Sequence, residues 1–318
     1  MPEGPEVRKF ADALDRVLSG PVITSLEART KDARNWLKDN EFRLLGRRVD
    51  RVVSHGKHLI GYIEGRFFFH SHLMMWGRWQ TFGPTTKKIR SESIEPLSLP
   101  ERDRRERARI VVEGGAAILL SAPIFNVGRG NPYKKIENLQ TLGPDVLPYD
   151  RVFNHAAFTR RLFKPEHRQM PVGAALLNQR IVAGLGNYLR AEVLFACRLD
   201  PWRLVGDLTE LDIECLIRKI PKLAWRAYKQ TATAGKRDRE RMSNDAALVY
   251  QPGREYGTRH LVFRRTNLPC LRCAEKIRQL RQKTYNREQV EDERTRIVYF
   301  CPGCQNVDVS SMERKQAK

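Results

Sequence analysis

No stretch of this chain approaches the ~18 consecutive apolar residues that a membrane-spanning helix requires, so no membrane span is expected. The opening residues, MPEGPEVRKF, are polar and charged and lack the apolar stretch of a secretory signal. Cysteine is scarce, with six residues in 318. Without an export signal, those six are not expected to form a disulfide framework. Acidic side chains are outnumbered, 37 Asp and Glu against 58 Lys and Arg, which leaves a formal charge of +21. The excess is spread as +7, +8 and +6 over residues 1–159, 160–254 and 255–318, so it does not belong to a basic tail. Nucleic acid is the favoured partner of such a surface. The length suits two or three domains, each with its own core.

The cysteines that are present fall into two groups. Cys197 and Cys215 sit in apolar, helix-like stretches and read as small buried hydrophobes. Cys270 and Cys273 form one Cys-x-x-Cys pair, CLRC, and Cys301 and Cys304 form another, CPGC. Two such knuckles bring four thiolates to a closed tetrahedral site, which points to one structural zinc ion. An iron–sulfur cluster is the alternative, since soft thiolates suit both metals.

Residues 5–18 predict an amphipathic helix, with Pro5 at its first position and Val7, Phe10, Ala11, Leu14, Val17 and Leu18 in helical rhythm. From about 42 to 122 the pattern is β, with HLIGYI and RFFFHSH flanking Glu64-Gly65, and ARIVVE and AAILLS flanking Gly114-Gly115. Repeated hairpins after one helix predict a β-sandwich or flattened barrel. The charged stretch 83–108 reads as an exposed loop, and LGPDVLPYD as a linker. The segment 155–230 is helical, and GAALLNQRIVAGLGNYLRAEVLFACRL predicts two helices joined at Gly184–Gly186, with Asn187 near the start of the second. The polar run 235–247 reads as a mobile loop.

Proline at position 2 has one chemical consequence that no other residue matches. Once Met1 is removed, Pro2 carries a free secondary amine that can form an iminium with a sugar aldehyde carbon. The positive end of the following helix disfavours an ammonium there and favours the carboxylate of Glu3.

These pieces together resemble the bacterial DNA glycosylases of the formamidopyrimidine-DNA glycosylase and endonuclease VIII family. The resemblance rests on MPEGPEV, HGKHL around Lys57, AGLGNYLRAEVLF, and the closing CLRC and CPGCQ, in that order over nearly the whole length. It implies a multidomain α+β fold: an N-terminal β-sandwich with its helix, a helix–two-turn–helix domain and a zinc-ribbon finger, with DNA between the halves. The implied boundaries are 1–140 for the catalytic sandwich, 141–155 for a linker, 156–258 for the helical domain, 259–306 for the finger and 307–318 for a polar tail. The resemblance makes Pro2 the nucleophile at C1′ of the damaged nucleotide, Glu3 the acid/base that opens the sugar, and Lys57 a phosphate contact that supports elimination. Asn187 and Arg296 become backbone-phosphate clamps, which fix position without reading sequence. Glu6 matches a further acid of the motif and serves equally as a first-turn helix carboxylate. The protein is then expected to be a monomeric, cytoplasmic, nucleoid-associated bacterial enzyme that removes oxidised bases and cleaves abasic sites, with one zinc ion.

Two departures matter. Between Cys273 and Cys301 lie 27 residues, against the ~15–20 usual for a zinc ribbon. The extra length predicts a longer finger hairpin or an inserted helix, and weakens the assignment of Arg296. The second departure is the loop that fills the gap left by the flipped base, a hairpin loop in this family. Here it reads HLMMWGRW, placing Met74, Met75 and Trp76 side by side. The endonuclease VIII branch also uses adjacent residues here, whereas the formamidopyrimidine branch takes an Arg and a Phe from a later loop. The corresponding SAPIFNVGRGN has no such pair, which favours the endonuclease VIII branch and oxidised pyrimidines. Two rival readings remain: the same chemistry on oxidised purines, and a non-catalytic, zinc-containing binder of damaged DNA.

Overall fold

Helix α1 (Gly4–Leu18) forms where the apolar spacing predicts it, burying Val7, Ala11, Leu14 and Leu18 along one face. This computed structural model describes residues 2–83, 99–249, 257–285 and 290–310. Its contacts divide the chain into two units, Met1–Thr141 and Leu142–Lys318.

In the first unit α1 is followed by β1 (Ile23–Ala28) and α2 (Lys31–Asn40), neither of which the sequence patterns single out. Seven strands follow: β2 (Val49–His55), β3 (His58–Ile63), β4 (Phe67–His72), β5 (Arg78–Phe82), β6 (Glu106–Val112), β7 (Gly115–Leu120) and β8 (Ile124–Arg129). They form two antiparallel four-stranded sheets in the orders β1-β6-β7-β5 and β2-β3-β4-β8. Both expected hairpins are present, closing at Ile63↔Phe67 and Val112↔Gly115. The sandwich core includes Leu26, Val52, Leu59, Phe69, Leu119 and Phe125, and α1 packs on strands of both sheets. β6 begins at Glu106, so the charged stretch 83–108 ends in a strand, anchored by the buried Arg109–Glu106 ion pair. Residues 84–98 of that stretch lie outside the described residues. Two single turns, α3 (Pro132–Lys135) and α4 (Glu137–Gln140), end the unit.

The second unit begins with the segment read as a linker, in which Val146 and Leu147 are buried and the Val146 N–H donates to the Ala183 carbonyl. Then come α5 (His155–Leu162), α6 (Val172–Ala175), α7 (Asn187–Cys197), α8 (Glu210–Gln230) and α9 (Lys236–Asn244). Phe158, Leu162, Val172, Leu189, Val193, Leu216 and Ile220 build its main core. The finger hairpin, β9 (Arg278–Tyr285) with β10 (Glu291–Phe300), accounts for the extra length between the cysteine pairs. No helix among the described residues is long and apolar enough to cross a membrane.

Three sequence readings are corrected here. The first helix of the expected pair is only the single turn α6, because side-chain amides capture the backbone after it. Asn178 Oδ1 accepts the Arg180 N–H, and Gln179 accepts from Gly184 and donates to the Leu177 and Leu185 carbonyls. Such local bonds compete with helix continuation. The polar run 235–247 is largely the helix α9, held by a buried Met242 and a Lys236–Glu240 pair at helical spacing. Finally, Cys197 and Cys215 are joined as a disulfide, with Cα atoms 5.7 Å apart, because α7 and α8 pack side by side at that level.

Candidate active site

The start of α1 is built around two carboxylates. Glu3 is the N-cap and is only 3% exposed. With Glu6 it forms a capping box, in which the Glu6 carboxylate accepts the Glu3 backbone N–H at 2.9 Å. Pro2 precedes it, half-exposed. Lys57 occupies the two-residue turn between β2 and β3, after Gly56 at φ +56°, where a side chain would be strained. It is 8% exposed and lies in the turn itself, where the sequence reading had it at the start of a strand. α1 runs antiparallel to β2: Ser19 pairs with Val49, and Asp15 Oδ1 accepts the Val52 N–H at 2.7 Å. From Asp15 back to Glu3 the helix rises about 18 Å, and β2 runs on about 10 Å from Val52 to His55, where the turn that carries Lys57 begins. The structure therefore directs Pro2 and Glu3 toward the Lys57 end of the hairpin.

Beside Lys57 lies a histidine cluster that the sequence reading did not anticipate. His58 Nδ1 and His70 Nε2 are 2.9 Å apart, and the Asn126 amide is 3.2 Å from His70 Nδ1. The His58 ring meets His72 edge-on, with centroids 4.8 Å apart. Burial pushes all three below the usual histidine range: His70, with His72 adding, to about 3; His72, with Lys57 adding, to about 4; and His58, with the neighbouring imidazoles and Lys57 adding, well below 6.5. They are neutral at physiological pH.

The segment Leu73–Gly77 follows His72 directly. It joins β4 of one sheet to β5 of the other, and so is an inter-sheet crossover where a hairpin loop was expected. The Gly77 N–H donates to the Leu73 carbonyl at 2.8 Å. A Cβ at Gly77 would lie 2.3 Å from that carbonyl oxygen and 2.8 Å from Ala122 Cβ, so only glycine closes the loop. Leu73 is buried, while Met74, Met75 and Trp76 are 44, 57 and 79% exposed.

In the second unit Asn187 is the first residue of α7. The residue that organises it is Arg190, which is 1% exposed. Its guanidinium donates to Asn187 Oδ1 at 2.6 Å, to the Ile297 carbonyl at 2.8 Å and to Gln282 Oε1 at 3.2 Å. With its oxygen engaged, the Asn187 amide presents donors, the polarity a phosphate needs. The same guanidinium holds the strand residue next to Arg296, which is exposed on β10 opposite Gln282. Glu192, fully buried, accepts the backbone N–H groups of Leu261, Val262 and Phe263 and so ties α7 to the finger. Pattern reading missed both Arg190 and Glu192; an arginine and a glutamate inside an otherwise apolar helix are the available signal.

The sulfurs of Cys270, Cys273, Cys301 and Cys304 lie within 4.8 Å of one another. Backbone N–H groups of Arg272 and Cys304 point at Cys270 Sγ and Cys301 Sγ. Burial raises the Cys301 thiol and pushes Cys304 up to about 11, with neighbouring sulfurs adding to both, so a cation is what would turn them into thiolates. This donor set fits a tetrahedral metal such as zinc.

A sequence profile of the formamidopyrimidine-DNA glycosylase N-terminal domain matches residues 1–120, and one of the formamidopyrimidine-DNA glycosylase H2TH domain matches residues 142–237. The chain is 29% identical over 306 residues to endonuclease 8 of Pectobacterium atrosepticum, covering 96% of this chain and 100% of the relative. It is 28% identical to an Escherichia coli endonuclease 8 with the same coverage. Among solved structures, a complex between the Lactococcus lactis Fpg and DNA containing an abasic site shares the fold with a TM-score of 0.70 at 21% identity, over 96% of this chain and 100% of that one.

Proposed function

Because the chain belongs to the formamidopyrimidine-DNA glycosylase and endonuclease VIII family, on its endonuclease VIII side, we propose that it is a bifunctional DNA glycosylase and abasic-site lyase of base excision repair that removes oxidised pyrimidines. The observation that carries this reading is Pro2 set beside a buried, capped Glu3 at the start of α1. The Pro2 nitrogen attacks C1′ as the glycosidic bond breaks, and the base leaves with that electron pair and takes up the proton that the Pro2 nitrogen gives up. Glu3 donates a proton to O4′ as the ring opens and leaves an iminium on Pro2. Loss of a C2′ proton then breaks the C3′–O bond by β-elimination, and δ-elimination breaks the C5′–O bond. Hydrolysis returns the amine. Lys57 supports elimination from a phosphate contact, and Asn187 and Arg296 hold further phosphates. The work is placed in the cytoplasm, on the nucleoid.

Met74, Met75 and Trp76 support this substrate class. Flipping a base costs a few kcal/mol of stacking and pairing. Burying one methionine returns roughly 1.5–3 kcal/mol, and a tryptophan face can stack as well. Replacing Met75 and Trp76 by alanine is expected to slow excision from duplex by roughly tenfold or more, and from single strands far less. Equal losses on both DNA forms refute the wedge. With no Arg–Phe pair in SAPIFNVGRGN, thymine glycol and dihydrouracil are expected to be released whatever base they face. A panel of single-lesion duplexes tests this, and a strong preference for an oxidised purine opposite cytosine reverses the assignment.

The cysteine cluster holds one structural zinc in this reading, supplying folding energy and no chemistry. Mutating Cys301 is expected to weaken DNA binding equally for every lesion. Metal analysis that finds iron, or normal affinity in the variant, contradicts this.

A further inference from the structure

We propose that His72 is a positioning residue for the Met74–Trp76 loop, its neutral imidazole holding the Met74 backbone in the form that enters the duplex. This rests on the reading of that loop as the wedge. His72 ends β4, and its Nδ1 lies 3.2 Å from the Met74 backbone nitrogen. A backbone N–H can only donate, so Nδ1 must accept, and the ring proton sits on Nε2. Met74 itself adopts φ +51°, the left-handed region, which is strained for a residue with a Cβ. The loop therefore needs anchors. Gly77 closes its far end on Leu73, and His72 holds its near end.

The surroundings keep that imidazole an acceptor. Asn126 on β8 donates its amide N–H to His70 Nδ1, which leaves the His70 proton on Nε2, donated in turn to His58 Nδ1. The register brings these rings together, with His58 opposite His72 and His70 opposite Asn126. His58 packs edge-on against His72, and the cation of Lys57 disfavours a second positive charge there. An imidazolium would carry a proton on Nδ1 and could not receive the Met74 N–H. The cluster thus ties the Lys57 turn to the base of the wedge through groups that stay uncharged.

The test compares two substitutions. His72→Phe keeps a ring of similar size and removes the acceptor. His72→Asn restores an acceptor, since an asparagine oxygen bonds the N–H two residues on in an Asx turn. The phenylalanine variant is expected to excise thymine glycol from duplex roughly fivefold more slowly, the worth of one hydrogen bond, while cutting abasic sites in single strands at the wild-type rate. The asparagine variant should recover the duplex rate. Imidazole nitrogen spectra of the wild type should show His72 protonated on Nε2 alone. An unchanged duplex rate in His72→Phe, an equal loss on both DNA forms, or failure of His72→Asn to recover each overturns the proposal. Met75→Ala/Trp76→Ala is run beside them: if that pair leaves the duplex to single-strand ratio unchanged, the wedge reading itself has failed, whatever the His72 variants do.

Discussion

One extra residue ahead of Pro2 is expected to abolish the covalent adduct that borohydride traps between the protein and DNA containing an abasic site. Reduction fixes an imine or iminium as a stable C–N bond, so the trapped species reports whichever amine holds C1′. Two candidates stand in the same unit, the Pro2 nitrogen and the Lys57 ammonium. An α-amino group titrates near ~8 and a lysine near ~10.4, so at neutral pH the free-amine fraction favours the N-terminus by about 250-fold. The helix start adds to this, because α1 places its positive end behind Pro2 and disfavours the ammonium further. Pro2→Gly keeps an N-terminal amine but makes it primary and its backbone freer, and most excision activity should be lost. Intact mass of the purified wild type should correspond to a chain beginning at Pro2. Trapping that survives the added residue undiminished moves the nucleophile elsewhere, with Lys57 the next to test.

The parts of this site that are legible in the sequence are those whose signal is local. The Cys-x-x-Cys pairs carry their geometry in three-residue steps, and α1 shows its buried face at 7, 11, 14 and 18. What sequence reading misses is assembled across distance. His58 and His70 meet because β3 and β4 are in register, and Asn126 joins them from a strand 56 positions further on. Arg190 meets Gln282 and Ile297 over separations of 92 and 107 residues, so its role cannot be seen within the helix that carries it. The shortened first helix of the two-turn motif fails for another reason. Its apolar rhythm is helical, and the outcome turns on Asn178 and Gln179 choosing backbone partners. The Cys197–Cys215 bond depends on how α7 and α8 pack, which composition does not reveal.

Glu3→Gln is expected to reduce release of an oxidised base by roughly 10²–10⁴-fold, the usual worth of a positioned acid, while leaving measurable strand cleavage at preformed abasic sites. The two activities separate because they demand different things at C1′. Base release needs the glycosidic bond broken and the sugar ring opened, and a proton delivered to O4′ lowers that barrier. A preformed abasic site already exists partly as the open aldehyde, whose carbon accepts the amine without that help. Glutamine keeps the size of the side chain and a carbonyl acceptor, but it cannot donate and regain a proton at this position. The variant should fold normally. The bond that orders the turn runs from the Glu3 backbone N–H to the Glu6 carboxylate, and the Val7 N–H is received by the backbone carbonyl of residue 3. Neither depends on the Glu3 carboxylate, the Glu6 backbone N–H that the Glu3 side chain receives in the capping box can be received by the glutamine oxygen, and the core face of α1 is untouched. Single-turnover rates on a thymine glycol duplex and on an abasic duplex give the ratio directly. If both rates fall together, Glu3 acts by holding Pro2 in place, and the acid that opens the sugar must be sought in Glu6 or in a water molecule.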